Sequence, residues 1–389
     1  MAVERARVGL AAVEDVYQDY GRRARELKAA GKKIVGYLCA LVPIEIITAA
    51  GMAPFRIKGD CGVPITRADA SMETIVCGAV RSCFDLSLKR YGFLDGIVVP
   101  HACDSITRTY PLWQHELGLP YSHFLNLPHS TEDSSLVFFK AVLNTFKDSL
   151  ARYAGRDISE NALKEAVRLY NQNRTTVAEL YELRKADPPL VSGTEVTKTL
   201  IAAMSLPVEE STRMIESVIA EVRLRPNPDA DRLPRIMVFG AEVGDVTFIE
   251  LVESTGAHVV ADDLCPGARE NLRLTDVATD PMDGLAQRYL RGIDCPRTYA
   301  EPKGTYPEYL ERRFGDIARS VRDFRVDGVI VYLYRYCDPF GFEVPALKSY
   351  LDSLGVPVLS VENEYSMPAI GWLKNRVQAF LEMLEQGSA

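Results

Sequence analysis

No run of about 18 consecutive apolar residues occurs in the 389-residue chain, so the sequence offers no membrane-spanning helix. Long basic runs are missing too. None exceeds Gly31-Lys32-Lys33, and Lys plus Arg (45) falls short of Asp plus Glu (53), giving a net charge of −8. A nucleic-acid partner, which asks for a basic stripe against phosphate, is therefore not expected. The five histidines form no HxxxH pair, which argues against a zinc hydrolase. No CxxC occurs, which argues against a zinc ribbon or a ferredoxin-type insert. GxxxxGK followed by Ser or Thr is also absent, so P-loop ATP hydrolysis is not expected of this chain. The opening residues, Met1-Ala2-Val3-Glu4-Arg5-Ala6-Arg7, carry charge and lead into no apolar core with a cleavage site. The expectation is a cytoplasmic protein without a secretory signal.

What is present is an ordinary globular composition, 47% hydrophobic and 25% charged. The length corresponds to two or three domains of about 100–200 residues. Against that background the eight cysteines stand out, at 39, 61, 77, 83, 103, 265, 295 and 337. In a reducing compartment they are metal ligands, catalytic groups or buried small apolar residues rather than a disulfide framework. Their spacing means that any metal site must be assembled from distant segments.

The pattern along the chain predicts an α/β fold with two Rossmann- or flavodoxin-like lobes of parallel sheet. Residues 8–30 carry apolar positions at helical spacing up to Gly31, which reads as one N-terminal helix. Short apolar runs at 34–39, 96–100 and 123–128, with a helix opening after Pro43, form a first α/β pattern. Residues 135–223 are helical in periodicity, with Ser159 as a helix cap. After the proline-bearing segment 225–231 the α/β pattern restarts, with strands near 235–240, 258–262, 328–333 and 356–362 and a last helix near 368–385. The expected divisions are an N-terminal helical segment 1–33, a first lobe 34–134, a helical region and linker 135–230, and a second lobe 231–389.

In open parallel sheets, ligand chemistry collects beyond the carboxyl ends of the strands. Cys103-Asp104 follows the strand at 96–100 and Cys337-Asp338 follows the strand at 328–333. Cys77 heads a helix-like run, where the helix dipole favours a thiolate. Glu45 follows Pro43 at a helix start, a place that suits a carboxylate either as a plain helix charge or as a group facing substrate. His101, two residues before Cys103, is a candidate proton donor to bound substrate, against the alternative of a structural histidine. Asp104 and Asp338 are expected to fix their loops by bonding backbone amides. Gly240-Ala-Glu-Val-Gly244 reads as a tight strand-to-helix turn.

Further motifs run through most of the chain in a fixed order. They are Val42-Pro43-Ile44-Glu45-Ile46-Ile47 with Ala49-Ala50-Gly51-Met52; Cys77 with Arg81-Ser82; Cys103-Asp104 followed by Trp113; Asp262-Asp263-Leu264-Cys265 with Gly267 and Arg269; Arg288-Tyr289-Leu290 before Cys295; Asp327-Gly328-Val329-Ile330 leading to Tyr336-Cys337-Asp338; and Arg376-Val377 with Ala379-Phe380-Leu381-Glu382. With these the sequence resembles the iron–sulfur subunits of the 2-hydroxyacyl-CoA dehydratase and ATP-dependent benzoyl-CoA reductase family.

The resemblance implies a [4Fe-4S] cluster on Cys77, Cys103 and Cys337, in a cleft between the lobes, with one iron left open. It implies an acyl-CoA substrate, a homologous second iron–sulfur subunit and ATP-hydrolysing iron–sulfur activator subunits as partners. The segments around Cys77 and Cys103 are closer to the smaller benzoyl-CoA reductase subunit, which favours aromatic-ring reduction over syn dehydration of a 2-hydroxyacyl-CoA. Other assignments stay open: Cys39 in place of Cys77, a double-cubane cluster, or an electron-transfer subunit that touches no substrate. Cys83 is expected in the core, and Cys265 and Cys295 as packing or as neighbours of the ligands. Cys61 has no assigned role.

Overall fold

A computed structural model describes residues 7–226, 232–278, 280–299 and 301–387; most of the proline-bearing segment 225–231 lies outside the described residues. The chain opens with helices α1 (Gly9–Gln18) and α2 (Arg22–Ala29), then β1 (Ile34–Tyr37), α3 (Ile44–Ala49), β2 (Ala53–Arg56), α4 (Arg67–Ser71), α5 (Gly78–Arg90), β3 (Gly96–Pro100), α6 (Asp104–Leu117) and β4 (Tyr121–Leu125). Four helices follow: α7 (Asp133–Ala154), α8 (Glu160–Glu182), α9 (Gly193–Ala203) and α10 (Val208–Val222). The second α/β pattern comprises β5 (Arg235–Gly240), α11 (Thr247–Ser254), β6 (His258–Asp263), α12 (Ala268–Asn271), α13 (Pro281–Gln287), α14 (Tyr306–Asp323), β7 (Gly328–Tyr334), α15 (Asp338–Ser353), β8 (Val358–Asn363) and α16 (Met367–Gly387).

The strands form two four-stranded parallel sheets, ordered β2-β1-β3-β4 and β6-β5-β7-β8. The two orders are the same: the chain leaves its first strand for one edge, then crosses back to the other side. β1 and β3, and likewise β5 and β7, therefore flank a topological switch point, where connections depart in opposite directions and leave a crevice. The central strands are buried on both faces, as parallel strands between helical layers must be.

The structure corrects two expectations. The single N-terminal helix is two, broken at Asp19–Gly21, because Tyr20 turns inward to only 7% exposure and donates its hydroxyl to the Arg56 carbonyl at 2.9 Å. Strand β2 was hidden from the sequence pattern. It has four residues, Ala-Pro-Phe-Arg, and a proline is tolerated there because β2 lies at the sheet edge.

The helices after the first sheet are shared between the two lobes. On α7, Phe139, Leu143, Phe146 and Leu150 present one buried stripe to the first sheet, each contributing about 1.5–3 kcal/mol by leaving water. α9 and α10 pack in the core of the second sheet. α8, 23 residues and about 35 Å long, joins both: Leu163 and Val167 enter the first core, Val177, Leu180 and Tyr181 the second. Ser159 caps it by accepting from the Ala162 amide at 3.2 Å. The segment 282–295 crosses back and packs Met282, Leu285, Tyr289, Leu290 and Ile293 into the first lobe's core.

Asp85 ties the approach to this region. Its carboxylate accepts from the Thr66, Arg67 and Ala68 amides at 2.7, 3.2 and 2.7 Å and from Lys89 at 2.9 Å, capping α4 from α5. Burial opposes ionisation, but Lys89 and the Ala68 and Thr66 amides outweigh it and pull the group down to about 2. The folded value lies below the unfolded one, so this stabilisation is present above about pH 4 and lost as pH falls through about 2. Asp85→Asn is expected to lower stability at pH 7 by about 2 kcal/mol and to flatten the acid limb between those values, as read by urea unfolding across pH.

Candidate functional site: a cavity lined with thiols

Four strand ends face one another across an internal cavity of about 110 Å³. Leu38 and Cys39 follow β1, Ala102 and Cys103 follow β3, Ala241 and Glu242 follow β5, and Tyr336 and Cys337 follow β7; all line it. The switch points of the two sheets thus open onto a common space. Cys39, Cys77, Cys103, Cys265, Cys295 and Cys337 all border it, and Cys83 touches its wall. All eight cysteines are free thiols. Cys61 lies apart in a neighbouring cleft, with its amide on Asp245 at 3.2 Å.

Cys77, Cys103 and Cys337 share a local architecture. Each is the N-cap residue of a helix, α5, α6 and α15 respectively, of 13, 14 and 16 residues. Three helix N-termini from two lobes therefore point their positive ends at this side of the cavity, which favours thiolate over thiol. Cys77 and Cys337 are paired directly. The hydrogen bond from Cys337, with help from the Ala79 and Val80 amides, lowers Cys77, while the same contact raises Cys337; the pair holds a proton on the Cys337 side. Burial pushes Cys103 up to about 12.

Cys39, Cys265 and Cys295 line the same cavity. Cys295 arrives on the segment that crosses back into the first lobe, and Cys265 follows β6. Cys39 adopts a left-handed backbone with φ +70°, a conformation costly for a residue with a Cβ. Burial pushes its thiol up to about 12. Guanidinium groups, rather than helix ends, compensate these sulfurs. Arg269 reaches the Cys265 sulfur at 3.4 Å, and Arg297 and Arg56 act on Cys39 and Cys295. The sequence pattern did not single out these three thiols as a set, because their convergence depends on where residues 282–295 pack.

The other candidates fall elsewhere. Glu45 is fully buried and paired with Arg174 at 2.6 Å and with the Tyr289 hydroxyl at 2.8 Å. Burial opposes its charge, yet Arg174 and Arg288 hold the carboxyl below the usual range. His101 hydrogen-bonds Asn126 at 3.0 Å and approaches His129 at 3.5 Å, on the outer side of the Cys103 loop. Asp104 pairs with Arg108. The Gly240–Gly244 turn is tight for a reason: a Cβ on Gly244 would stand 2.5 Å from the Gly59 carbonyl of the other lobe. That close approach lets Glu242 reach the cavity wall, where it pairs with Arg56.

The donor set suits a cluster better than a single ion. Among the described residues no three His, Cys, Asp or Glu side chains stand close enough to grip one metal ion. A polynuclear iron–sulfur group instead takes its thiolates on separate irons, so its ligands are spread around a void. Several cysteine sulfurs, mostly apolar walls, helix N-termini and unpartnered polar atoms on Arg297 and Glu242 at the wall fit such a group.

The profile of the 2-hydroxyglutaryl-CoA dehydratase D-component family matches residues 39–384. The chain belongs to this family. Among its dehydratase-family relatives, a benzoyl-CoA reductase component of Thauera aromatica is 30% identical over 373 residues, covering 93% of this chain and 95% of that one. The putative dehydratase subunit YjiM of Escherichia coli (strain K12) is 26% identical, covering 92% and 93%. The beta subunit of (R)-2-hydroxyglutaryl-CoA dehydratase of Acidaminococcus fermentans is 24% identical, covering 92% and 94%. Relatives of both reductase and dehydratase name thus align along nearly the whole chain.

The buried Glu45–Arg174 pair ties α3 to α8 and to Tyr289. Glu45→Gln leaves Arg174 uncompensated in the interior and is expected to cost about 3–5 kcal/mol in urea unfolding. Because the pair lies away from the thiols, iron uptake by the folded variant should match the unaltered chain.

Proposed function

We propose that the chain is an iron–sulfur subunit of an ATP-dependent reductase of the benzoyl-CoA type. In this reading Cys77, Cys103 and Cys337 hold a [4Fe-4S] cluster that serves low-potential, one-electron reduction of an aromatic acyl-CoA. The observation that carries it is the meeting of three helix-capping cysteines, from both lobes, on one apolar cavity. The likeness to the Thauera aromatica benzoyl-CoA reductase component along nearly the full length supports the reductase over the dehydratase.

When bound, the cluster supplies an electron carrier whose potential is set by burial and by hydrogen bonds to sulfur. The chain's own residues do the rest. Helix N-termini favour the thiolate form that ligation requires, apolar walls keep water out, and the two lobes hold the sulfurs at fixed positions. His101, beside the Cys103 loop, is the proposed proton donor. Glu45, the other candidate for contact with substrate, is taken up by Arg174 and Tyr289 and serves the scaffold in this reading. ATP hydrolysis belongs to separate activator subunits, since the chain has no P-loop. A homologous iron–sulfur subunit is the proposed partner; the reductase and dehydratase relatives are themselves named as subunits. Eight free thiols suit a reducing cytoplasm.

A second reading is favoured by Cys39, Cys265 and Cys295 on the wall of the same cavity: six thiols around a larger double-cubane cluster. Iron per chain, measured anaerobically, separates the two. About four supports the single cluster, about eight the double cubane, and none overturns both. For the single cluster, Ala at Cys77, Cys103 or Cys337 is expected to abolish the cluster's absorption while Cys39→Ala retains it; loss in Cys39→Ala as well favours the six-thiol reading. The reaction is tested with the assembled complex. Stoichiometric ATP consumption with benzoyl-CoA is expected, and such consumption with a 2-hydroxyacyl-CoA alone overturns the reductase assignment.

A further inference from the structure

Two buried polar atoms on the cavity wall have no hydrogen-bond partner: Nε of Arg297 and Oε1 of Glu242. Unsatisfied groups of this kind are rare in folded proteins and ask for a physical reason. Both belong to residues facing a water-poor space, one basic and one acidic.

Arg297 is 7% exposed. Its side chain has one bond, from Nη2 to the Leu127 carbonyl at 3.3 Å, and its own carbonyl accepts from His129 Nδ1 at 3.2 Å. The guanidinium is therefore anchored by a single arm, with Nε left unpaired. The groups whose charge it feels are Cys295, Cys39 and Cys103, all on the cavity wall. Glu242 follows β5 on the cavity wall, with Arg56 on its other oxygen.

A wholly structural arginine would spend its donors on the fold, as Arg313 does here, bonded through Nε and Nη2 to Glu343 and through Nη2 to the Cys295 carbonyl. In a low-dielectric space a charge so placed acts strongly on any charge added nearby. We propose that Arg297 is a charge-compensating positioning residue that raises the reduction potential of the group held by the cavity thiols, and that Glu242, on the wall of the same cavity, opposes it. The proposal rests on the cluster reading above, with either four or eight irons. The electron added on reduction stays on the thiolate-held group. No bond breaks, no proton is required, and the donor is the external reductant of the titration.

The test uses the full chain, reconstituted anaerobically, with iron counted in every sample and the midpoint potential read by spectroscopic redox titration. Arg297→Gln is expected to keep its iron and to show a reduced-to-oxidised ratio about tenfold lower at the potential where the unaltered chain is half reduced, a shift of about 59 mV to the negative side for one electron. Arg297→Lys keeps the charge and is expected to recover most of that shift. Glu242→Gln is expected to move the potential in the opposite direction. Should Arg297→Gln fail to fold, the signs from Arg297→Lys and Glu242→Gln decide. Iron-loaded variants whose potentials coincide with the unaltered chain, or a Glu242→Gln shift of the same sign as Arg297→Gln, overturn the proposal. An unaltered chain that takes up no iron overturns the cluster reading itself and this proposal with it.

Discussion

Sulfur that is to be ionised inside an apolar cavity must be compensated by its walls, because an uncompensated buried charge costs several kcal/mol. Much of this protein's architecture follows from that requirement. On one side the compensation comes from backbone: α5, α6 and α15 each begin at a cysteine, so their unsatisfied amides and dipoles converge on Cys77, Cys103 and Cys337. On the other it comes from side chains, with Arg269, Arg297 and Arg56 around Cys265, Cys295 and Cys39. The two solutions differ in rigidity. A helix end is fixed by the fold, whereas a guanidinium is held by whatever bonds its fork can make.

The requirement also explains why two similar lobes face each other. A single open sheet offers one crevice at its switch point. Two such crevices set mouth to mouth enclose a space that neither lobe could close alone. The junction is made of close contacts: Gly244 against the Gly59 carbonyl, Lys58 donating to the Gly244 carbonyl at 3.0 Å, and Arg56 bonded to Glu242. These contacts join the turn after β2 to the turn after β5. Glycine is needed at 244 for room, and the buried Arg56 charge is compensated there by its ion pair with Glu242.

Much of this order was legible in the residues. The β1, β3, β5 and β7 positions read correctly because parallel strands buried on both faces are short, nearly continuous apolar runs. The positions of Cys103 and Cys337 at strand ends followed from the same pattern, as did the Ser159 cap. β2 escaped because an edge strand of four residues with a proline has no such signature, and the break at Asp19–Gly21 escaped because helical periodicity continues across it. Glu242 and Arg297 carried no sequence signal beyond lying near a glycine turn and a cysteine.

The sequence by itself determined the two parallel α/β units, the helices that follow them and the family, since local periodicity and ordered motifs are properties of neighbouring residues. Tertiary structure alone decided that six cysteines from six separate segments share one cavity, that residues 282–295 return to the first lobe, and that Glu45 is bound to Arg174 rather than free. Those outcomes depend on how distant apolar faces pack together, and the free energy of that packing is not carried by any one stretch of chain.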